Sequence, residues 1–373
     1  MRFIKLQADK IFDGYRFHFN KVLITLEDGT VEGIIEQTAA GEDVKTVRGI
    51  LAPGLINCHC HLELSHLKGQ IPENTGLAGF VRRVVQKRNF PEATILQAIA
   101  NAENEMISNG IVAVGDICNT THTLPQKEKR QLHYHNFIEA MGFNPAVADT
   151  NFGMYLNTYQ RFADTLNPAQ VSIVPHAPYS VSEPLWHKIL AHSNGLLSIH
   201  NQETQDENLW FENKTGGFVE MFKAMGLNTD MFTASGKSSL QTYLTKFLPT
   251  QQVLLVHNVY TSQVDIEFAA SLPGPFFWCF CPNANKYISN VLPDISLFAK
   301  NNCTMVLGTD SLASNHQLSI TAEIKTLQKH FPEIALEQIL QWATINGARA
   351  LKIDNQYGSF EKGKKPGTAI INL

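Results

Sequence analysis

The chain has 373 residues, 44% of them hydrophobic and 17% charged, with a net charge of −4, the balance of an ordinary globular enzyme with a large core. With no basic block, nucleic acid is not expected as a partner, and no apolar stretch approaches the ~20 residues of a membrane span, so no membrane is expected either. The opening MRFIKLQADKIF lacks the apolar region and small-residue cleavage site of a secretory signal, and a cytoplasmic protein is expected.

In chain order, residues 1–50 read as short strands with turns: RFIKLQADKIF, YRFHFNKVLITLEDGTVEGIIEQ and TVRGILAPG, with Asp28-Gly29 as a hairpin turn. The tail GSFEKGKKPGTAIINL reads as a further hairpin of strands. A small β-sandwich-like domain built from residues 1–50 and 355–373 is expected, flanking a larger unit over 51–354.

That larger unit opens with LINCHCHLELSHLKG. Side chains alternate along a strand, so His59 and His61 face one way while Cys58 and Cys60 face the other. Two imidazoles side by side on rigid backbone supply half of a metal site. The same design recurs downstream: β-branched runs end at His176 (VSIVPHAPYS), His200 (GLLSIHNQET, with Glu203 three residues on), His257 (QVLLVHNVY) and Asp310 (TMVLGTDSLASN). Short apolar runs alternating with helical patterns indicate βα units around a parallel sheet. Polar residues at the C-terminal ends of successive strands are the mark of a (β/α)8 barrel. Eight strands fit the pattern: Ile56–His61, Ile111–Asp116, His133–Glu139, Val171–His176, Leu196–His200, Val253–His257, Phe277–Cys281 and Met305–Asp310. The predicted class is α/β: a TIM barrel of the roughly 250–300 residues such a fold needs, plus the accessory β-domain.

Six cysteines in a chain of this length do not make a disulfide framework. Cys58, Cys60, Cys118, Cys279 and Cys303 read as small buried hydrophobes, and Cys281 stands at a strand end. No CxxC occurs, which argues against a zinc finger.

The motifs PGLINCHCHLE, HAPYSVS, SIHNQETQDE, LLVHN, FCPNAN and LGTDSLASN occur in the order seen in the amidohydrolase superfamily. The chain resembles its branch of cytosine, guanine and adenosine-type deaminases, and HLELS with the stretch after it resembles aminofutalosine deaminase-like members. The likeness covers nearly the whole chain; Gly367 stands where the family usually carries an aspartate. The resemblance implies that His59, His61, His200 and Asp310 bind one divalent metal, zinc by preference with iron or manganese as alternatives. Three neutral imidazoles and one carboxylate leave an open position for water, as a hydrolytic metal requires. In the same reading Asp310 accepts a proton from the water and His257 polarises the reacting centre. Glu203 carries a proton to a ring nitrogen of the substrate and then to the departing amine. Glu207 competes for that role, but the shorter offset from His200 favours Glu203. Two-metal relatives carry a carboxylated lysine at the end of the fourth strand. This chain has His176 there, which points to a single metal and a substrate contact.

Further candidate substrate contacts are Glu63, Phe80, Arg82, Tyr179, Asn285 and Ser311; His66, His122 and His133 read as structural. His61-Leu62-Glu63 also matches the H-x-E of cytidine-type zinc deaminases. Those require P-C-x-x-C as well, and the only Cys-Pro pair, Cys281-Pro282, is in the wrong order. The sequence thus predicts a metal-dependent hydrolase of carbon–nitrogen bonds: a deaminase of an amino-purine or nucleoside such as aminofutalosine. An amidohydrolase or chlorohydrolase acting on a triazine, cyclic amide or imidazolone is the alternative, and a non-catalytic barrel the remote one. A small-molecule substrate and, from the family's habit, a homodimer or larger homo-oligomer are expected.

Overall fold

The structure, a computed structural model, describes residues 2–193 and 195–373. Eight parallel strands carry the site: β1 (Leu55–Cys60), β2 (Ile111–Cys118), β3 (His133–Ala140), β4 (Val171–Pro175), β5 (Leu196–Asn201), β6 (Gln252–His257), β7 (Phe276–Phe280) and β8 (Met305–Leu307). The first four pair in order, and so do the last four. Backbone hydrogen bonds join the two halves at both seams. His200 N donates to His176 O (2.9 Å), and Thr309 N and Asp310 N both donate to His59 O (3.0 Å each). The result is a closed (β/α)8 barrel. Both seams lie at residues the sequence singled out, so the backbone that closes the barrel also positions the candidate ligands.

These segments are strands because apolar and β-branched side chains find burial on both faces, against the barrel interior and the surrounding helices. Leu55–Cys60 and Gln252–His257 are buried at every position. Strand β8 reaches β1 through Gly308, where a Cβ would lie 2.8 Å from His59 Cβ and 2.9 Å from His59 O. Only glycine permits that approach, and the approach brings Asp310 to the histidines.

Outside the barrel, Phe3–Gln7 pairs with Lys21–Leu26, and Lys21–Leu26 with Val31–Glu36, both antiparallel. The turn at Asp28-Gly29 is the expected hairpin: Gly29 has φ +84° and the Asp28 carboxylate accepts from Thr30 N (3.0 Å). A second sheet joins Thr368–Ile371 to Ile50–Pro53, Lys10–Phe12 and Phe17–His18. Ile11, Leu23, Val31, Leu51 and Phe360 pack between the strands. The tail contributes one strand, not two. Residues before it run as turns, held by Phe360 N to Asp13 O (2.8 Å) and Gly363 N to Val31 O (2.8 Å). Gly367 has φ +67°, and a Cβ there would lie 2.9 Å from Val112 Cγ1, so an aspartate at this place would be strained. No helix among the described residues is long and apolar enough to cross a membrane.

Candidate active site

Four ligand atoms converge at the C-terminal mouth of the barrel. His59 Nε2 and His61 Nε2 are 3.2 Å apart, and His61 Nε2 and His200 Nε2 are 3.3 Å apart. Asp310 Oδ1 lies 3.4 Å from His61 Nε2 and 3.7 Å from His59 Nε2. Donors held about 2.0–2.1 Å from a common centre at tetrahedral angles lie about 3.3–3.4 Å from one another; His59, His61 and Asp310 cluster closely enough to hold a metal ion, with His200 against His61. Two of the ligands are oriented from behind. The Ser314 hydroxyl donates to Asp310 Oδ2 (2.6 Å), leaving Oδ1 for the centre. His200 Nδ1 donates to His176 O (2.8 Å), leaving the Nε2 lone pair free.

Charge states agree. Burial, reinforced by neighbouring imidazoles and opposed by Asp310, pushes His61 well below the usual imidazole range. Burial likewise brings His200 and His176 to about 4. These imidazoles are neutral at pH 7, as ligands must be. Burial pushes the Asp310 carboxyl up, but the facing His59, His61 and His257 outweigh it and hold it well below the carboxylate range.

His257 stands against the same cluster, with a ring nitrogen within 4.8 Å of those of His59 and His200. Asn285 Nδ2 lies 3.1 Å from its Nδ1, and its Nε2 is 3.7 Å from Glu203 Oε1. Burial pushes the Glu203 carboxyl well above its ordinary value, helped by the negative charges of Asp310 and Glu207. A buried carboxyl pushed up beside one held low is the arrangement that separates acid from base. Glu207 sits elsewhere: its Oε1 accepts from Gln202 N (3.0 Å) and the Ser239 hydroxyl (2.6 Å), behind the turn that carries Glu203.

The loops bearing these groups are strained. Gln202, His257, Asn258 and Asp310 have φ of +46°, +77°, +58° and +56°, a region costly to non-glycine residues and concentrated at functional sites. Side-chain hydrogen bonds hold them there. Gln202 bonds Asn208 (3.0 Å) and Asp265 (3.1 Å), and Asn258 Nδ2 donates to Leu255 O (2.8 Å) and Cys279 O (3.1 Å). Asp265 also closes the capping box with Ser262 that starts the helix Gln263–Ser271.

The remaining predicted contacts divide. His176 lies beside His200, with ring centroids 4.9 Å apart, and its Nδ1 is held by the Ser180 hydroxyl (2.7 Å). Tyr179 is near His176 and packs on Phe218. Ser311 is buried and bonds Ser314 (3.1 Å). Glu63 turns away from the expected place. Its Oε2 accepts from Asn119 N, Thr120 N and the Thr120 hydroxyl (3.1, 2.9 and 2.8 Å), tying the β1 loop to the β2 loop. Phe80 is buried with Leu77, Tyr179, Trp210, Phe218 and Ile288, in an apolar cluster drawn from the mouth loops. Arg82 points from the same helix, Gly76–Lys87, into solvent. All six cysteines are free, and Cys281 is fully buried.

Sequence reasoning missed two supports. Lys127, fully buried, bonds Asp116 (2.5 Å) and Asn136 (2.7 Å), while the other oxygen of Asp116 accepts from Leu62 N (2.8 Å), next to His61. Glu139, near the end of β3, lies 3.3 Å from His200 Nδ1. Asp116 and Glu139 are charged residues inside apolar runs, a signal that a buried polar partner is required.

The sequence profile of the amidohydrolase family matches residues 50–373. The chain belongs to that family. Like other amidohydrolases of its branch, it is a deaminase-like hydrolase of carbon–nitrogen bonds. It is 27% identical to the adenosine deaminase of Helicobacter pylori, over 87% of this chain and 79% of that protein. It is 26% identical to the aminodeoxyfutalosine deaminase of a Nitratiruptor species, over 100% and 92%. The solved structure of Helicobacter pylori aminofutalosine deaminase in complex with methylthio-coformycin shares the fold, with a TM-score of 0.79 at 21% identity, covering 97% of this chain and 90% of that one.

Proposed function

We propose that this amidohydrolase is a cytoplasmic, zinc-dependent deaminase that hydrolyses an aminated purine or nucleoside-type substrate, such as aminofutalosine, to the oxo product and ammonia. The observation that carries the reading is the placement of Glu203, a buried carboxyl 3.7 Å from His257 beside the convergent ligand atoms, pushed above its ordinary value by burial. Adenosine-type deaminases among its relatives support the substrate class.

His59, His61, His200 and Asp310 would hold the ion. When bound, such an ion lowers the pKa of a water towards neutrality and supplies a nucleophile. The chain's own residues manage the protons. Asp310, ionised and with Oδ1 facing the histidines, accepts the water's proton. His257, its Nδ1 occupied by Asn285, presents an Nε2 hydrogen towards charge developing at the reacting carbon. Glu203 gives its proton to the ring nitrogen next to that carbon, so the ring accepts the attacking electron pair. The proton taken up by Asp310 then passes by way of Glu203 to the exocyclic amine, which leaves as ammonia. The proton shed by the new hydroxyl as the C=O forms restores Glu203. The apolar cluster around Tyr179, Trp210 and Phe218 keeps bulk water out, which strengthens each of these interactions.

An ammonia-coupled assay over amino-purines, adenosine and 5′-substituted adenosines tests the proposal. Release from one of these substrates is expected. Ring opening of a lactam or loss of chloride from a triazine, without ammonia from any purine, would replace it.

A further inference from the structure

We infer that Glu139 is a positioning residue whose negative charge, set behind His200, strengthens the hold of that imidazole on the metal. The inference rests on the metal-site reading above. Glu139 is buried near the C-terminal end of β3. Its Oε1 has no hydrogen-bond partner among the described residues and lies 3.3 Å from His200 Nδ1. An acceptor so placed is costly unless a positive charge or a polarised N–H compensates it. His200 supplies that partner once its Nε2 donates to a cation, because the ring then carries part of the charge.

The carboxylate is held in place from the other side. Asn119 Nδ2 donates to Glu139 Oε2 (3.2 Å) and to the Glu139 carbonyl (3.1 Å). The Asn119 backbone N–H is in turn fixed by Glu63 Oε2 (3.1 Å). A chain of contacts therefore runs from the loop after His61 through Asn119 and Glu139 to His200, and links ligands on β1 and β5. This gives Glu63 a place in the site at one remove.

Orientation and charge separate cleanly here. The carbonyl of His176, 2.8 Å from His200 Nδ1, already fixes the tautomer. Burial pushes the Glu139 carboxyl up, opposed by the facing His200 and the Asn119 hydrogen bond. Beside a ring that shares a cation's charge it serves as an anion facing the same nitrogen, which makes the far nitrogen a stronger donor. Glu139→Gln keeps the shape and the Asn119 contact but removes the charge.

The test is the zinc dissociation constant of the purified protein, measured by competition with a chromophoric chelator. Glu139→Gln is expected to bind about 10–100-fold more weakly than the wild type, with the thermal midpoint of the metal-stripped protein unchanged. Glu139→Asp, which keeps the charge, should fall between the two and serves if the Gln variant does not fold. Equal affinity of Glu139→Gln and wild type overturns the inference, as does tighter binding by Gln than by Asp. A wild-type protein that takes up no zinc overturns the metal-site reading instead, and is told apart by that control alone.

Discussion

The Asn285 amide donates from Nδ2 to Nδ1 of His257 across 3.1 Å, and that bond decides what His257 can do. With Nδ1 accepting, the ring proton sits on Nε2, on the side of Glu203. An N–H has no lone pair to give a metal. In the proposed mechanism His257 is accordingly a hydrogen-bond donor to the reacting centre and not a fifth ligand, although its ring stacks on His200 at 5.4 Å. Asn285→Leu removes the bond and leaves the tautomer free. We expect kcat to fall about tenfold, the worth of one oriented hydrogen bond, with metal content unchanged. A variant that loses its metal instead would show that His257 is a ligand.

Glu203→Gln keeps the size of the side chain and removes the transferable proton. Ammonia release should fall by about 10²–10⁴ in kcat, while substrate affinity and bound metal remain. Steady-state kinetics with elemental analysis checks this, and an unimpaired kcat would remove Glu203 from the mechanism.

Stability should depend on pH through Glu207. Burial raises its carboxyl from an ordinary 4.5 to about 7, with Ser239, Gln202 and Glu203 opposing. A raised carboxyl favours the protonated folded state. Its contribution is fully present below about pH 4.5 and is lost as pH rises through about 7. Glu207→Gln should flatten this decline, a difference on the order of 2–3 kcal/mol between pH 5 and 8. Urea melts of both proteins at the two pH values measure it, and parallel curves would contradict it.

The buried ion pair of Lys127 and Asp116 supports the turn after His61. Lys127→Met strands a buried carboxylate and should cost about 3–5 kcal/mol. Adding Asp116→Asn should recover part of that, because the unpaired charge is then gone. Denaturant unfolding of the single and double variants decides; simple additivity would mean that the two side chains are not coupled.

These buttresses mark the limit of what sequence alone conveys. Strand periodicity placed His59 and His61 on one face, and strand ends marked His200, His257 and Asp310, because burial on both faces makes barrel strands stand out as apolar runs. Turn chemistry located the Asp28-Gly29 hairpin for the same local reason. Glu63 shows where locality fails. Its backbone lies one turn from the ligands, but its side chain rotates onto Asn119 and Thr120 from the next βα loop, a contact no spacing encodes. Phe80 and Arg82 sit on one amphipathic helix, and the tertiary cluster of mouth loops decides that one is buried and the other exposed. Glu139 fell inside a correctly placed strand, yet its partner is 61 positions downstream. The tail, rich in Gly and Lys, reads as two strands, but bonds to Asp13 and Val31 hold its first half in turns.

Metal content by elemental analysis, taken together with ammonia release from amino-purines and their nucleosides, tests the central claim most directly. The geometry of His59, His61, His200 and Asp310 predicts about one equivalent of zinc per chain and release from at least one of these substrates. About two equivalents, or a fully loaded protein that releases no ammonia from any of them, would contradict it.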